Sequence, residues 1–172
     1  LDQSSLASSI TKNPAIVKIT HAGENDYRLL FQEFGVLPVN VYDTQIAAGF
    51  IGYNYPISFA NLLVGELKLY LDKGPAVSDW ESRPISKKQL QYALNDVIYL
   101  EQLWKGINKK LKDKNRESWV TEEFNKLQAP KAYEIKPHKE FLANSLLPKI
   151  NVREKLFLMR LYKWRIEMAE KK

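Results

Sequence analysis

Residues 86–112, SKKQLQYALNDVIYLEQLWKGINKKLK, decide how this chain is read. Leu90, Ala93, Leu94, Val97, Leu100, Trp104, Ile107 and Leu111 recur at steps of three and four, the period of an amphipathic helix. Ser86 with Gln89 three residues on makes a capping box. The hydroxyl accepts a free backbone N–H of the first turn, and the Gln side chain reaches back to the cap. One long helix is therefore expected over the whole stretch. Tyr92 and Asp96 lie one turn apart on it, on the flank of the apolar stripe and roughly 100° from its centre. Residues at that angle line the edge of a core, where a cleft can open. The same spacing also suits a half-buried wedge beside a solvated carboxylate, so the pair needs support from elsewhere in the chain.

The surrounding composition sets bounds. At 172 residues the chain can hold one ordinary domain with an appendage. A hydrophobic share of 45% is enough for a core, and no apolar run approaches the length of a membrane span. There is no cysteine, which excludes disulfides and thiolate metal sites and fits a reducing compartment. Lys and Arg number 26 against 20 Asp and Glu, a formal charge of +6 that suits a polyanionic partner. The first residue is Leu1 rather than Met, and residues 149–172 end on Lys-Lys without a helix stop signal. A piece of a longer protein is expected.

Working back from residue 86, the loop 74–84 contains Asp79-Trp80 and Arg83-Pro84. Trp80 there reads as a pin that holds the loop to the domain. Ser58 caps a helix carrying Phe59, Leu62, Leu63 and Leu67. Asp43 reads as the N-cap of another helix, Thr44-Gln-Ile-Ala-Ala, after a strand at 36–42. A β-branched strand is expected at 15–20, with a helix over 27–34. Asp26 sits where that strand passes into the helix, and either it or Asn25 can serve as N-cap. Forward of residue 112, a short helix fits 115–127. Residues 128–148 hold three prolines and read as a linker. Residues 152–168 return to helix, with Leu156, Met159, Leu161, Trp164 and Met168 as core candidates. The two histidines, His21 and His138, are too far apart in sequence and role for a histidine metal site. No phosphate-binding glycine loop, HExxH or nucleophile elbow is present. The strand–helix order gives an α/β domain with too few strands for its sheet.

The motifs join into a resemblance. His21-Ala-Gly-Glu-Asn-Asp26, Tyr42-Asp-Thr-Gln-Ile-Ala-Ala48, Leu71-Asp-Lys73 with Ser78-Asp-Trp-Glu-Ser-Arg-Pro84, and Gln89-Leu-Gln-Tyr-Ala-Leu-Asn-Asp-Val97 occur in that order. Together, from about residue 15 to 127, they resemble the ribonuclease D family, 3′–5′ exoribonucleases of the DEDDy branch of the DEDD superfamily. Leu161-Tyr-Lys-Trp-Arg-Ile-Glu-Met-Ala169 resembles the first helix of the all-α helicase-and-RNase-D C-terminal (HRDC) domain. The resemblance implies an α/β, RNase H-like exonuclease domain over 1–127 that lacks its first strands, a linker over 128–149, and the beginning of an HRDC-like domain over 150–172. It also implies a cytoplasmic enzyme that shortens RNA 3′ ends, tRNA precursors among them. Membranes are not implied, and the oligomeric state is left open.

By the same resemblance, Asp26, Tyr92 and Asp96 are the catalytic residues. Asp26 and Asp96 would be metal ligands, and Lys73, Trp80 and Arg83 substrate contacts. Two Mg²⁺ or Mn²⁺ ions about 4 Å apart would clamp both ends of an in-line displacement. Tyr92 would orient the attacking water. The family's first motif, an Asp-x-Glu pair on the first strand, has no counterpart here. Asp2 is followed two residues on by Ser4, and Leu1-Asp2 looks like the end of the third strand. Two strands and two metal-binding carboxylates are expected upstream, and the chain alone is expected to lack substantial nuclease activity. Lys155, Arg160, Lys163 and Arg165 are candidates for added RNA affinity. The competing readings are a DNA-directed exonuclease of the superfamily and a noncatalytic RNA-binding scaffold.

Overall fold

The computed structural model describes residues 8–71, 79–133, 141–142 and 144–171. The chain divides into two compact units, 1–133 and 134–172, and the boundary falls inside the segment read as a linker.

The first unit begins with a β–α–β element. Strand β1 (Lys18–Thr20), helix α1 (Glu24–Phe34) and strand β2 (Val41–Asp43) form it, and the two strands pair in parallel with Ile19 beside Tyr42 and Thr20 beside Asp43. Both strands are shorter than expected. Asn13 turns the chain ahead of β1, its side chain accepting the Ala15 N–H. Before β2, Pro38 has no N–H to give and Asn40 is left-handed (φ 53°), so regular pairing starts only at residue 41. Asp43 then caps helix α2 (Thr44–Ile51), accepting the Gln45 and Ile46 N–H groups, as expected. Ser58 likewise caps α3 (Phe59–Leu67).

The expected long helix is two helices. The Ser86–Gln89 capping box is present and opens α4 (Lys87–Ile98). The chain breaks at Tyr99, and α5 (Leu100–Asp113) follows. Helix α6 (Glu117–Leu127) completes the unit. The break re-aims the apolar stripe. Leu103, Ile107 and Leu111 are fully buried, and α5 packs against β1, α2, α3, α4 and α6. Truncating Ile107 to Ala would cost about 2–5 kcal/mol through the cavity left behind. The α4 part of the stripe is not core: Leu90, Leu94, Val97 and Ile98 are about half exposed, because no described element covers that face. Tyr133 closes the core beyond α6, with its phenol donating to the Leu127 carbonyl at 2.8 Å.

In the second unit, helix α7 (Val152–Glu170) starts at an Asn151–Glu154 capping box. Tyr162 is its organising residue. It meets the Phe141 ring edge-on at 6.2 Å, takes the Asn144 side-chain amide at 3.1 Å, and carries the Arg165 guanidinium 5.0 Å over its face. Leu156, Met159, Leu161, Trp164 and Met168 were expected in a core and are instead 37–56% exposed, since no described part of this unit covers them. Among the described residues, no helix is long and apolar enough to cross a membrane.

Candidate active site

Asp43 organises the front of the site. It is 1% exposed, and its carboxylate takes five donors. Ala22 N–H (3.2 Å), Gly23 N–H (2.7 Å) and the Thr20 hydroxyl (3.4 Å) reach it from the β1–α1 junction. Gln45 N–H and Ile46 N–H reach it at 2.9 and 3.2 Å from its own helix. One carboxylate therefore sits at the positive ends of two helices, α1 and α2. The Tyr27 phenol lies 2.7 Å from Thr20, and burial pushes that phenol well above its ordinary range. Gly23 has to be glycine here, because a Cβ would fall 2.6 Å from the Thr20 hydroxyl oxygen.

This changes the reading of Asp26. Neither Asn25 nor Asp26 is the N-cap of α1. Gly23 is, with no side-chain cap, and Asp43 reaches over from β2 to accept the Ala22 and Gly23 N–H groups just ahead of the first turn. Asp26 is thus released from capping. It stands exposed in the first turn of α1 with no hydrogen bond or ion pair to another described side chain.

His21 braces the same corner. Its Nδ1 lies 3.0 Å from the Thr44 hydroxyl, and its Nε2 donates to the Ile57 carbonyl at 3.0 Å. Phe59 meets the ring edge-on. Burial lowers the imidazole's pKa, against the opposing pull of the Asp43 charge. His21 is a bracket between two segments.

Tyr92 and Asp96 project from α4, one turn apart and both exposed. Partial desolvation raises the Asp96 carboxyl above its usual range. Neither polar group makes a hydrogen bond within the described residues. The Trp80 ring stands 6.2 Å from the Tyr92 ring, so the Trp does pin its loop, and it pins it to Tyr92. Gln89 locks that arrangement. Beyond its role in the capping box, its Nε2 donates to the Asp79 carbonyl at 2.8 Å, tying the loop to the start of α4. Arg83 folds back, with one guanidinium nitrogen donating to the Trp80, Glu81 and Ser82 carbonyls. Asp79-Trp80-Glu81 has Asp-x-Glu spacing but lies in this loop, where the Asp79 carboxylate accepts the Glu81 and Ser82 N–H groups. Lys73 and the Leu1-Asp2 strand end lie outside the described residues.

The structure thus joins Tyr92, Asp96 and Trp80 around α4, and frees Asp26 on α1. No described hydrogen bond or ion pair links Asp26 to the α4 group. Among the described residues, no group of three or more His, Asp or Glu side chains could hold a metal ion. The donor type suits a hard divalent cation, which takes carboxylate oxygens, but the number does not. Asp43 and Gln89 were read only as local caps. Their second partners lie 20 and 10 residues away in sequence, and no local pattern announces them.

Residues 2–112 match the 3′–5′ exonuclease family. A ribonuclease D from Zymomonas mobilis is 36% identical over 142 residues, covering 83% of this chain and 36% of that protein. The crystal structure of Escherichia coli RNase D, an exoribonuclease involved in structured RNA processing, is similar at a TM-score of 0.84 and 27% identity. That match covers 99% of this chain and 45% of the other. Brucella melitensis NrnC with bound Mg²⁺ is similar at a TM-score of 0.66 and 26% identity, over 81% of this chain and 66% of that one. The chain therefore spans 30–45% of the length of the ribonuclease D relatives it matches.

Proposed function

The chain belongs to the 3′–5′ exonuclease family, and from that premise we propose that the whole protein is a ribonuclease D-like exoribonuclease. It would hydrolyse RNA stepwise from the 3′ end, release nucleoside 5′-monophosphates, and act on structured RNAs such as tRNA precursors in the cytoplasm. The observation that carries this reading is the exposed Tyr92–Asp96 pair on α4, whose polar groups make no hydrogen bond among the described residues and which the Gln89 clamp holds beside Trp80.

Divalent ions belong to this chemistry, since a pair of them would neutralise charge on the attacking and leaving oxygens. Asp26 and Asp96 would be two of their ligands, and the remaining carboxylates would come from outside this chain. Too few carboxylates gather here for any step to be derived through an ion. The chain's own contributions are these: the Tyr92 phenol orients a water by hydrogen bond, Trp80 fixes the phenol's direction, Trp80 and Arg83 border the strand's 3′ end, and Lys73 would add a phosphate contact. Helix α7, with Lys155, Arg160, Lys163 and Arg165, would open an HRDC-like domain that adds affinity for the RNA backbone.

The test compares the 172-residue chain with the whole protein on a 5′-labelled RNA bearing a 3′ tail, with matching DNA alongside, in Mg²⁺. The reading expects the whole protein to shorten the RNA from its 3′ end and the chain alone to leave it intact. Shortening of DNA alone, or robust Mg²⁺-dependent shortening by the 172-residue chain, contradicts it.

A further inference from the structure

Gln89 is the only buried residue of α4, on a helix whose Leu90, Leu94 and Val97 are about half exposed. A buried polar side chain in such a setting needs a reason. The capping box supplies half of one. It uses Oε1, which accepts the Ser86 N–H at 2.9 Å. The cap gives Nε2 no task, and that atom donates to the Asp79 carbonyl at 2.8 Å, 10 residues back along the chain. With a donor facing Oε1 and an acceptor facing Nε2, a flipped amide would satisfy neither partner.

The loop that Gln89 holds is already folded on itself. The Asp79 carboxylate accepts the Glu81 and Ser82 N–H groups, and Arg83 donates to the Trp80, Glu81 and Ser82 carbonyls. Those bonds stay within the loop and do not set how it sits on α4. Among the described residues, the Gln89 bond does that, together with the Trp80 ring, which stands 6.2 Å from the Tyr92 ring and tilted 52° to it. Trp80 is 44% exposed and Tyr92 39%, so core packing does not force one ring onto the other. Gln89, Tyr92 and Asp96 fall at i, i+3 and i+7, which puts them on one stripe of the helix. Gln89 takes the first position of that stripe, and the two residues assigned to the reaction take the next two.

We propose that Gln89 is a positioning residue for the reaction, setting the direction of the Tyr92 phenol through Trp80. This deepens the exonuclease reading above and rests on it. Gln89 touches neither the RNA nor the water that the phenol orients. Its amide fixes the Asp79 carbonyl, and the indole of the next residue packs on the phenol ring, which narrows the directions the phenol can take. Misplacing a group that orients a reactant by about 1 Å costs on the order of 10²-fold in rate. Glutamate at position 89 separates the two jobs of this side chain. It keeps the acceptor for the Ser86 N–H, since Glu serves a capping box as Gln does. It loses the donor and turns an oxygen toward the Asp79 carbonyl oxygen.

The test is a double-mutant cycle on the whole protein, read as single-turnover shortening of a 5′-labelled, 3′-tailed RNA at saturating enzyme. Gln89→Glu is expected to slow shortening about ten- to a hundredfold at unchanged RNA affinity. In a Trp80→Ala background it should slow it by less than about twofold further, because the path through the indole is already cut. Ser58→Ala, which removes the cap of α3, should shorten RNA at the parent rate despite its loss of stability. If Gln89→Glu keeps the parent rate, or if its effect multiplies in full with that of Trp80→Ala, Gln89 does not position the phenol, while the nuclease reading stands. A loss in Ser58→Ala as large as that in Gln89→Glu assigns the effect to stability and overturns the proposal as well. A parent protein that leaves the RNA intact overturns the nuclease reading, and the role of Gln89 with it.

Discussion

The Asp43 carboxylate receives the Gly23 backbone N–H at 2.7 Å, across a gap of 20 residues in sequence. That bond lets a residue on one strand start a helix that follows another. It also sets the direction of the turn on which Asp26 stands. Replacing Asp43 by Ala removes the cap of α2 and leaves the Ala22 and Gly23 N–H groups without their acceptor. The expected cost is about 2–4 kcal/mol, a lost cap plus buried unpaired donors. A urea unfolding midpoint for Asp43→Ala equal to that of the parent would contradict this role.

Gln89→Ala is expected to loosen the loop that carries Trp80 while leaving the core intact. Its Nε2 is the one described tie between α4 and the Asp79 carbonyl, and its Oε1 accepts the Ser86 N–H. Chymotryptic cleavage after Trp80 should speed up several-fold, with a loss of about 1 kcal/mol in global stability. Unchanged cleavage would mean that the loop is held by something other than this clamp.

His21 gives the fold a pH dependence of definite sign. Burial places its folded pKa below the unfolded value near 6.5, despite the opposing Asp43 charge. Neutral imidazole is the folded form, so its contribution is complete above about pH 6.5 and is lost as pH falls through the lower folded value. The urea midpoint of the parent should fall between pH 7 and pH 5 more steeply than that of His21→Gln. Parallel curves for the two proteins would remove His21 as the cause.

Tyr42 is the reverse case. Its hydroxyl is buried with no partner among the described residues, its ring packed against Phe124 at 4.9 Å and Trp104 at 6.4 Å. Burial raises the phenol above its normal range. Tyr42→Phe keeps the rings and removes an unsatisfied group, so stability should hold or rise by up to about 1 kcal/mol. A loss of more than about 1 kcal/mol in thermal unfolding would show that the hydroxyl has a partner.

What could be read from the sequence was what is local. Ser86 with Gln89, Asp43 before Thr44, and Ser58 before Phe59 each announce a helix start within three residues, and each is there. The break at Tyr99 is not announced, since no glycine or proline marks it and the three-and-four periodicity runs straight through. Periodicity also identifies an apolar face without saying what covers it, so Leu90, Leu94 and Val97 looked like core and are exposed. The N-cap of α1, Gly23, has no side chain to announce it, and the Asp43 carboxylate that accepts its N–H lies on β2. The Tyr92–Asp96 pair was visible as helix spacing, whereas the Trp80 ring beside it depends on a loop fold that Gln89 imposes from a distance.

The central claim is that Tyr92 and Asp96 of α4 act on a phosphodiester at an RNA 3′ end. The most direct measurement is single-turnover shortening of a 5′-labelled, 3′-tailed RNA by the whole protein, its Tyr92→Phe variant and its Asp96→Asn variant, with RNA affinity measured in parallel. Both variants are expected to lose activity by about 10²- to 10⁴-fold, the scale of a positioned proton-handling or charge-stabilising group, at unchanged affinity. Full activity in either variant, or a loss explained entirely by weaker RNA binding, would contradict the account.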